Sequence, residues 1–450
     1  MPRATSEFEP ADAAGDLARD IRRLPSPQGH ALCHAVGMGN SGESSTVTAT
    51  AVLEGARRTQ ARNVLLHLAA EGPTARVDVA AATGLSRHAI ASLTARLQEA
   101  GLLRAAEAAG PVSPQLEFID SEGDLVTLVL GADQATATIA ALDGTELARF
   151  GEPYGHGVPE PDTVFDALAA VLRRALAQVG RLGGRLIDLT VVVPSAVAGE
   201  PQLVVSDSAF GWGTVDVLGA VHARLPQLAE LSERLPRGMR LVSDGSAAAL
   251  AEHSLLPGVD DLIYLASDAS VSGAIISGGR LVTGGHGLAG DLAHVPIDVD
   301  GVRCGCGQRG CLITVAGPDI VLDRAGLTGL AHEAGRAASL EEFVALVRAG
   351  DDRANWSWLD ASLWIGRTLQ VLAMSVDPSA IVIGGFWAEL PEEIVRSFQA
   401  NRPVLGGEPL TDIPPIVLAA GGRDAAVAGA RQAARERVID ARLGSAFPAR

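Results

Sequence analysis

The chain has 450 residues, 47% of them hydrophobic, and its 36 arginines (no lysine occurs) face 53 acidic residues for a formal charge of −17. That length holds about three ordinary domains, and the acidity argues against a whole surface built for polyanions while leaving room for a local basic patch. No run reaches the ~20 apolar residues of a membrane span, and the opening Met-Pro-Arg-Ala-Thr-Ser-Glu-Phe lacks the basic start and apolar stretch of a secretory signal, so a cytoplasmic location without membrane contact is expected.

Residues 1–56 mix Pro, Gly, Ser, Ala and acidic residues without a sustained period. They read as a disordered N-terminal extension, in which Met38 would serve as well for a start. Residues 57–104 change character: seven arginines face Glu71, Asp78 and Glu99, a net charge of +4. Val64, Leu65 and Leu68 form the apolar stripe of a first helix, which Gly72-Pro73 ends. A second helix runs from Arg76 to Ala82, Thr83-Gly84-Leu85 makes a tight turn, and Ser86 is placed to cap a third. In that third helix, 86–100, Ile90, Leu93 and Leu97 share one face while Arg87, His88, Ser92 and Arg96 lie away from it. This is the layout of a winged helix-turn-helix over 57–112, with 86–100 as recognition helix and those four residues as candidate DNA contacts. The wing position reads Ala105-Ala-Glu107-Ala-Ala-Gly, so basic minor-groove contacts are not expected from it.

Residues 111–120 read as a linker. Beyond them Leu125–Leu130 and Ala135–Ala141 are strands followed by a turn at Asp143-Gly144. A helix over 163–178 and strands at 189–193, 241–242, 262–266, 274–276 and 380–383 complete an alternating α/β pattern with sheets in two lobes.

Cys304-Gly-Cys306-Gly-Gln-Arg-Gly-Cys311 holds three of the four cysteines, with His294 ten residues upstream. Thiolates suit zinc, an imidazole can complete a tetrahedron, and the interspersed glycines let so short a loop curl. The expectation is one structural Zn2+ on His294, Cys304, Cys306 and Cys311, with no open position for catalysis. Cys33 is left without a role.

The pattern His294, nine residues, then Cys-x-Cys-Gly-x-x-Gly-Cys resembles the signature of the ROK family, which holds sugar kinases and sugar-responsive repressors. Gly287-Leu-Ala-Gly290-Asp291-Leu-Ala-His294 resembles that family's Gly-x-x-Gly-Glu-x-Gly-His segment. The resemblance implies a two-lobed actin-like, hexokinase-like ATPase fold over 120–450, behind the DNA-binding domain that ROK repressors carry. It also implies sugar-hydroxyl contacts at Ser243, Asp244, Asp291 and His294, with Asp244 at the position of the kinase base. The family's Glu two residues past the last cysteine is Ile313 here, which suggests a changed sugar preference.

The kinases' first phosphate motif, Asp-x-Gly-Gly-Thr-Lys, corresponds to Asp133-Gln-Ala-Thr-Ala-Thr138, and the second to Asp268-Ala-Ser-Val-Ser-Gly-Ala274. Both have lost the glycines that bring amides onto phosphate. The expectation is therefore a transcriptional regulator, in sign a repressor, that is not an enzyme. It would bind a double-stranded operator as a homodimer or homotetramer and sense a sugar or sugar phosphate; an ATP-dependent sugar kinase with an appended helical domain is the alternative.

Overall fold

The computed structural model describes residues 42–106, 115–119, 123–157, 159–206, 210–235, 238–400, 404–405, 408–409 and 414–446. The first helix, Gly42–Glu71, begins inside the stretch read from sequence as unstructured, and residues 1–41 lie outside those described. It is followed by β1 (Thr74–Ala75), the helices Arg76–Thr83 and Arg87–Glu99, and β2 (Leu103–Ala105). Gly84 turns the chain between the two short helices at φ 67°, and Ser86 Oγ accepts the Ala89 amide at 3.2 Å, as a capping residue does.

A third strand, β3 (Gln115–Phe118), pairs antiparallel with both β1 and β2. The linker expected over 111–120 is thus in part a strand, because Leu116 and Phe118 alternate inward into the core. Of the expected wing residues 105–110, Ala105 ends β2 and 107–110 fall outside the described residues.

The body is built from one topology used twice. β4 (Gly123–Leu130), β5 (Gln134–Ala141) and β6 (Glu146–Pro153) form an antiparallel meander, and β7 (Arg185–Val193) adds parallel to β4 after the helix Pro161–Arg181. A small pair, β8 (Ala196–Ala198) and β9 (Leu203–Ser206), precedes β10 (Met239–Ser243), which closes the sheet in the order β10-β7-β4-β5-β6. The second sheet repeats the scheme with β11 (Leu262–Ser267), β12 (Val271–Ser277), β13 (Arg280–Leu281) and β14 (Ala380–Gly385). After a short hairpin, β15 (Val404–Leu405) with β16 (Glu408–Pro409), β17 (Ile416–Leu418) gives the order β13-β12-β11-β14-β17. Parallel strands covered on both faces must be apolar throughout, and β7 and β14 are almost wholly buried.

The N-terminal helices and the body share one core. Leu65, Leu97, Leu116 and Phe118 pack in the same cluster as Leu125 and Ile187 of the first sheet and Val438, Ile439 and Leu443 of the last helix, Ala425–Ala446. Arg62 also reaches that helix, at 2.7 Å to Glu436 and 2.8 Å to Asp440. Among the described residues no helix is long and apolar enough to cross a membrane.

Candidate functional site

Where β10 ends, Ser243 caps the helix Asp244–Ser254 by accepting the Ser246 amide at 3.2 Å. Asp244 opens that helix, and its Oδ1 accepts the Gly245 amide and the Ser272 hydroxyl, each at 2.7 Å. Gly245 is needed here: a Cβ would come within 2.6 Å of the Gly273 carbonyl, so only glycine lets the helix start lie against β12. Burial pushes the Asp244 carboxyl up to about 6, against the pull of its two hydrogen bonds.

Asp244 lies on a cavity of about 720 Å³. Its walls come from the 194–205 segment with β8 and β9, from β10, from β12 and from residues 281–291. Polar groups on it include Glu200, Ser243, Asp244, Ser272, His286 and Asp291, and among the described lining residues none is an arginine. Burial also raises Asp291. His294, expected beside the sugar, is not among the lining residues; its Nδ1 lies 3.4 Å from Cys304 Sγ.

His294 ends a short 3-10 turn, Leu292–His294, that starts from the cavity-wall residue Asp291. Leu292 and Ala293 are buried, so this turn ties the wall to the cysteine loop. In that loop Cys304 N donates to Gln308 O at 2.8 Å and Gly307 N to Cys304 O at 3.0 Å. Gly310, at φ 62°, passes so close to Asp298 that a Cβ would sit 1.6 Å from its carbonyl oxygen.

The ligand atoms of His294, Cys304, Cys306 and Cys311 all lie within 4.8 Å of one another, with Cys306 Sγ and Cys311 Sγ 3.6 Å apart. Bond lengths of about 2.0 Å to nitrogen and 2.3 Å to sulfur put tetrahedral edges at roughly 3.5–3.8 Å, so the four fit a metal with small adjustments. Burial raises the Cys304 and Cys311 thiols, a penalty that a cation binding thiolate would reverse.

The first expected phosphate loop places Asp133 between β4 and β5, where its Oδ1 is 3.5 Å from His156 Nδ1. In the second, Ser272 is the hydroxyl that holds Asp244, and Arg336 donates to Ala269 O at 2.7 Å. Glu252, two turns beyond Asp244 on the same helix and buried, accepts the Ala420 and Gly421 amides at 2.9 and 2.8 Å. Sequence reasoning named neither Ser272 nor Glu252 as a functional partner. A buried glutamate on an otherwise Ala-rich helix was the available signal for the second.

On the N-terminal helix Arg87–Glu99, Arg87, His88 and Ser92 are exposed, Arg96 is half-buried, and Ile90, Leu93 and Leu97 are buried, so the expected outer and inner faces are the observed ones.

Two sheets of duplicated topology around an Asp-bearing cavity, braced by a loop of one histidine and three cysteines, define a sugar-kinase-like body. The ROK family model matches residues 126–437, and the chain belongs to the ROK family. An N-acetylmannosamine kinase of Escherichia coli strain SE11 is 31% identical over 190 residues, which are 41% of this chain and 62% of that protein. The chain thus spans about three fifths of the length of this curated relative. The crystal structure of a ROK family transcriptional regulator, a homolog of the E. coli MLC protein, matches with a TM-score of 0.63 at 20% identity, covering 86% of this chain and 99% of that one. A ROK family glucokinase from Streptomyces griseus, solved with glucose and AMPPNP, matches with a TM-score of 0.55 at 23% identity, covering 70% and 99%. The expectation that the chain is not an enzyme is corrected by these findings: relatives at 28–32% identity carry the name of a kinase. Reading loss of activity from missing loop glycines alone went too far, since backbone amides of other residues can also face a phosphate.

Proposed function

We propose that this chain is a cytoplasmic, DNA-binding transcriptional regulator whose ROK body binds a sugar and relays its occupancy to the DNA-binding helices. Residues 57–112 would be the winged helix-turn-helix, with Arg87, His88, Ser92 and Arg96 on the helix that enters the major groove. Residues from 120 onward would be the sensing body.

The observation that carries this reading is the shared core. The helix Arg87–Glu99 and the last helix of the body are buried in one hydrophobic cluster, so movement of the body is felt by the DNA-reading face. The regulator structure also covers more of the chain, 86% against 70% for the glucokinase, a difference about the size of the N-terminal helical segment.

Ser243, Asp244 and Asp291 would take sugar hydroxyls. With Glu200, Asp244 and Asp291 on the wall and no arginine among its described residues, the cavity suits an unphosphorylated sugar better than a phosphate ester. One structural Zn2+ on His294, Cys304, Cys306 and Cys311 would fix the wall that carries Asp291. It would supply cross-linking and no chemistry at the sugar.

The test is binding of a DNA fragment from the protein's own upstream region, measured against salt and then against a panel of sugars. Affinity should fall steeply with salt as phosphate contacts release counterions, and one sugar should shift it. DNA binding that no salt concentration reveals would end the reading. A second reading, sugar phosphorylation by the same body, is favoured by the kinase relatives and by Asp244, whose raised carboxyl can take a hydroxyl proton. ATP turnover that requires both a sugar and Asp244 would establish it.

A further inference from the structure

The three cysteines of the metal loop do not stand alike. Cys304 and Cys311 are buried, and Cys306 is exposed. Cys311 is fixed by its neighbours: it bridges Pro296, and the next residue, fully buried Leu312, donates its amide to Val295 O at 3.0 Å. Cys304 is fixed too. Its amide donates to Gln308 O, its carbonyl accepts the Gly307 amide, and its Sγ lies 3.4 Å from His294 Nδ1. Cys306 instead stands between Gly305 and Gly307, and a Cβ built on either glycine would meet nothing within 4 Å. The segment that carries it has open space around it and the backbone freedom of two glycines.

The Cys306 Sγ lies 3.6 Å from Cys311 Sγ. A disulfide needs about 2.05 Å, so a shift of about 1.6 Å joins the two sulfurs. The chain between them is already turned back on itself: Gly307 and Gly310 have φ of 96° and 62°, and Arg303 bridges Arg309 antiparallel. Cys304 is the poorer partner, since two cysteines one residue apart are badly placed to bridge each other.

We propose that Cys306 and Cys311 form a thiol switch: a peroxide oxidises them to a disulfide, and the metal loop loses two of its four ligands. Zn2+ has no redox chemistry of its own, so oxidising equivalents that reach this loop are taken up by sulfur. The Cys306 sulfur attacks one peroxide oxygen, the O–O bond breaks, and a sulfenic acid forms while the other oxygen leaves as water. The Cys311 sulfur then attacks the Cys306 sulfur, the S–O bond breaks, and a second water leaves. Two thiolates, one peroxide and two protons have become one disulfide and two waters. Metals are held by thiolates, so His294 and Cys304 are left as the only ligands, and the hold on the turn Leu292–His294 and on Asp291 before it is released. This inference rests on the zinc assignment proposed above and not on the DNA-binding reading.

The test treats the full, reduced chain with hydrogen peroxide and follows zinc, thiols and masses together. About one zinc per chain should be present at the start and should leave as the four cysteines lose two titratable thiols. Trypsin cuts after Arg303, Arg309 and Arg324. A Cys306–Cys311 bond therefore joins peptides 304–309 and 310–324, whereas a Cys304–Cys306 bond stays within the first. Fragmentation of the joined pair should place the alkylated thiol on Cys304. Dithiothreitol with added zinc should restore thiols and metal, and Cys33→Ser should respond as the native chain does. A reduced chain without zinc would sink the zinc assignment and the switch with it. A chain that holds zinc but keeps all its thiols under peroxide, retains the metal once the disulfide has formed, or bonds a different pair would sink the switch alone.

Discussion

Replacing Asp244 by Asn should change how stability depends on pH. The carboxyl rises from its ordinary 3.8 to about 6 because burial disfavours its charge more than its bonds from Ser272 and Gly245 restore it, and the nearby Asp268 carboxylate pushes the same way. An acid whose folded pKa is raised binds more protons in the native state than in the unfolded one between those two values. Its contribution is present at low pH and is lost as pH rises from about 4 through about 6. At 1.36 kcal/mol per unit the full shift is worth about 3 kcal/mol. Asp244 is half-buried on an open cavity, so a loss of about 1–3 kcal/mol is expected. Asp268 is exposed, and solvent screens its share. Urea unfolding of both proteins at pH 4.5 and 7.5 measures the difference: the native chain should lose that amount relative to Asp244→Asn. Sugar affinity should move oppositely in the native chain, improving above pH ~6 as an ionised acceptor forms a stronger bond to a hydroxyl. Stability curves that run parallel in the two proteins would refute the placement of a strained carboxyl at the cavity floor.

Three further outcomes follow from the same geometry. Cys306→Ser should release zinc, lower the melting temperature and blunt any sugar response, read by metal analysis and thermal melts; a variant with full metal content would remove Cys306 from the ligand set. Arg87→Ala and Arg96→Ala should each weaken DNA binding across sequences and reduce the slope of log affinity against log salt by about 1 if the side chain meets a phosphate; unchanged slopes in a titration series would take the helix Arg87–Glu99 off the DNA. Ile439→Ala, at a fully buried position in the shared core, should cost about 2–5 kcal/mol in denaturant unfolding and weaken the effect of sugar on DNA affinity, whereas a stable variant with intact coupling would argue against that core as the route.

Local chemistry made much of this fold readable. The stripe Val64, Leu65 and Leu68, the Ser86 cap and the inward set Ile90, Leu93 and Leu97 are short-range signals, and each lies where periodicity put it. The cluster of His294 with three cysteines was legible because glycine-spaced cysteines leave few other arrangements. What depends on distant pairing was not. Gln115–Phe118 looked like linker because both its partners, Thr74-Ala75 and Leu103–Ala105, are very short and the first lies about forty residues upstream. The 194–205 wall of the cavity carries no motif, and it faces Asp244 only because β8 and β9 fold back beside β10. Ser272 was seen as a missing phosphate-loop glycine when its hydroxyl is what holds the Asp244 carboxylate.

His294 shows how these parts act together. Cysteine and histidine chemistry gave it a metal task and the family resemblance a sugar task; the structure places it beside Cys304 and not on the cavity wall, where Asp291, three residues before it, lies. A turn that short cannot let its two ends move independently, because Leu292 and Ala293 between them are buried against β12 and the second core. A ligand that pulls on Asp291 therefore works against the cysteine loop, and a metal holding that loop gives the pull something rigid to act on. Under the proposed function the response would then be directed to the other wall, built from β10 and the start of the helix Asp244–Ser254. That helix lies against the last helix of the body, where a Cβ on Gly429 would come within 1.7 Å of the Ala247 carbonyl oxygen. The same last helix packs in one core with the N-terminal helices, so under the proposed function the wall opposite the candidate metal site would be the one coupled to the helices proposed to read DNA.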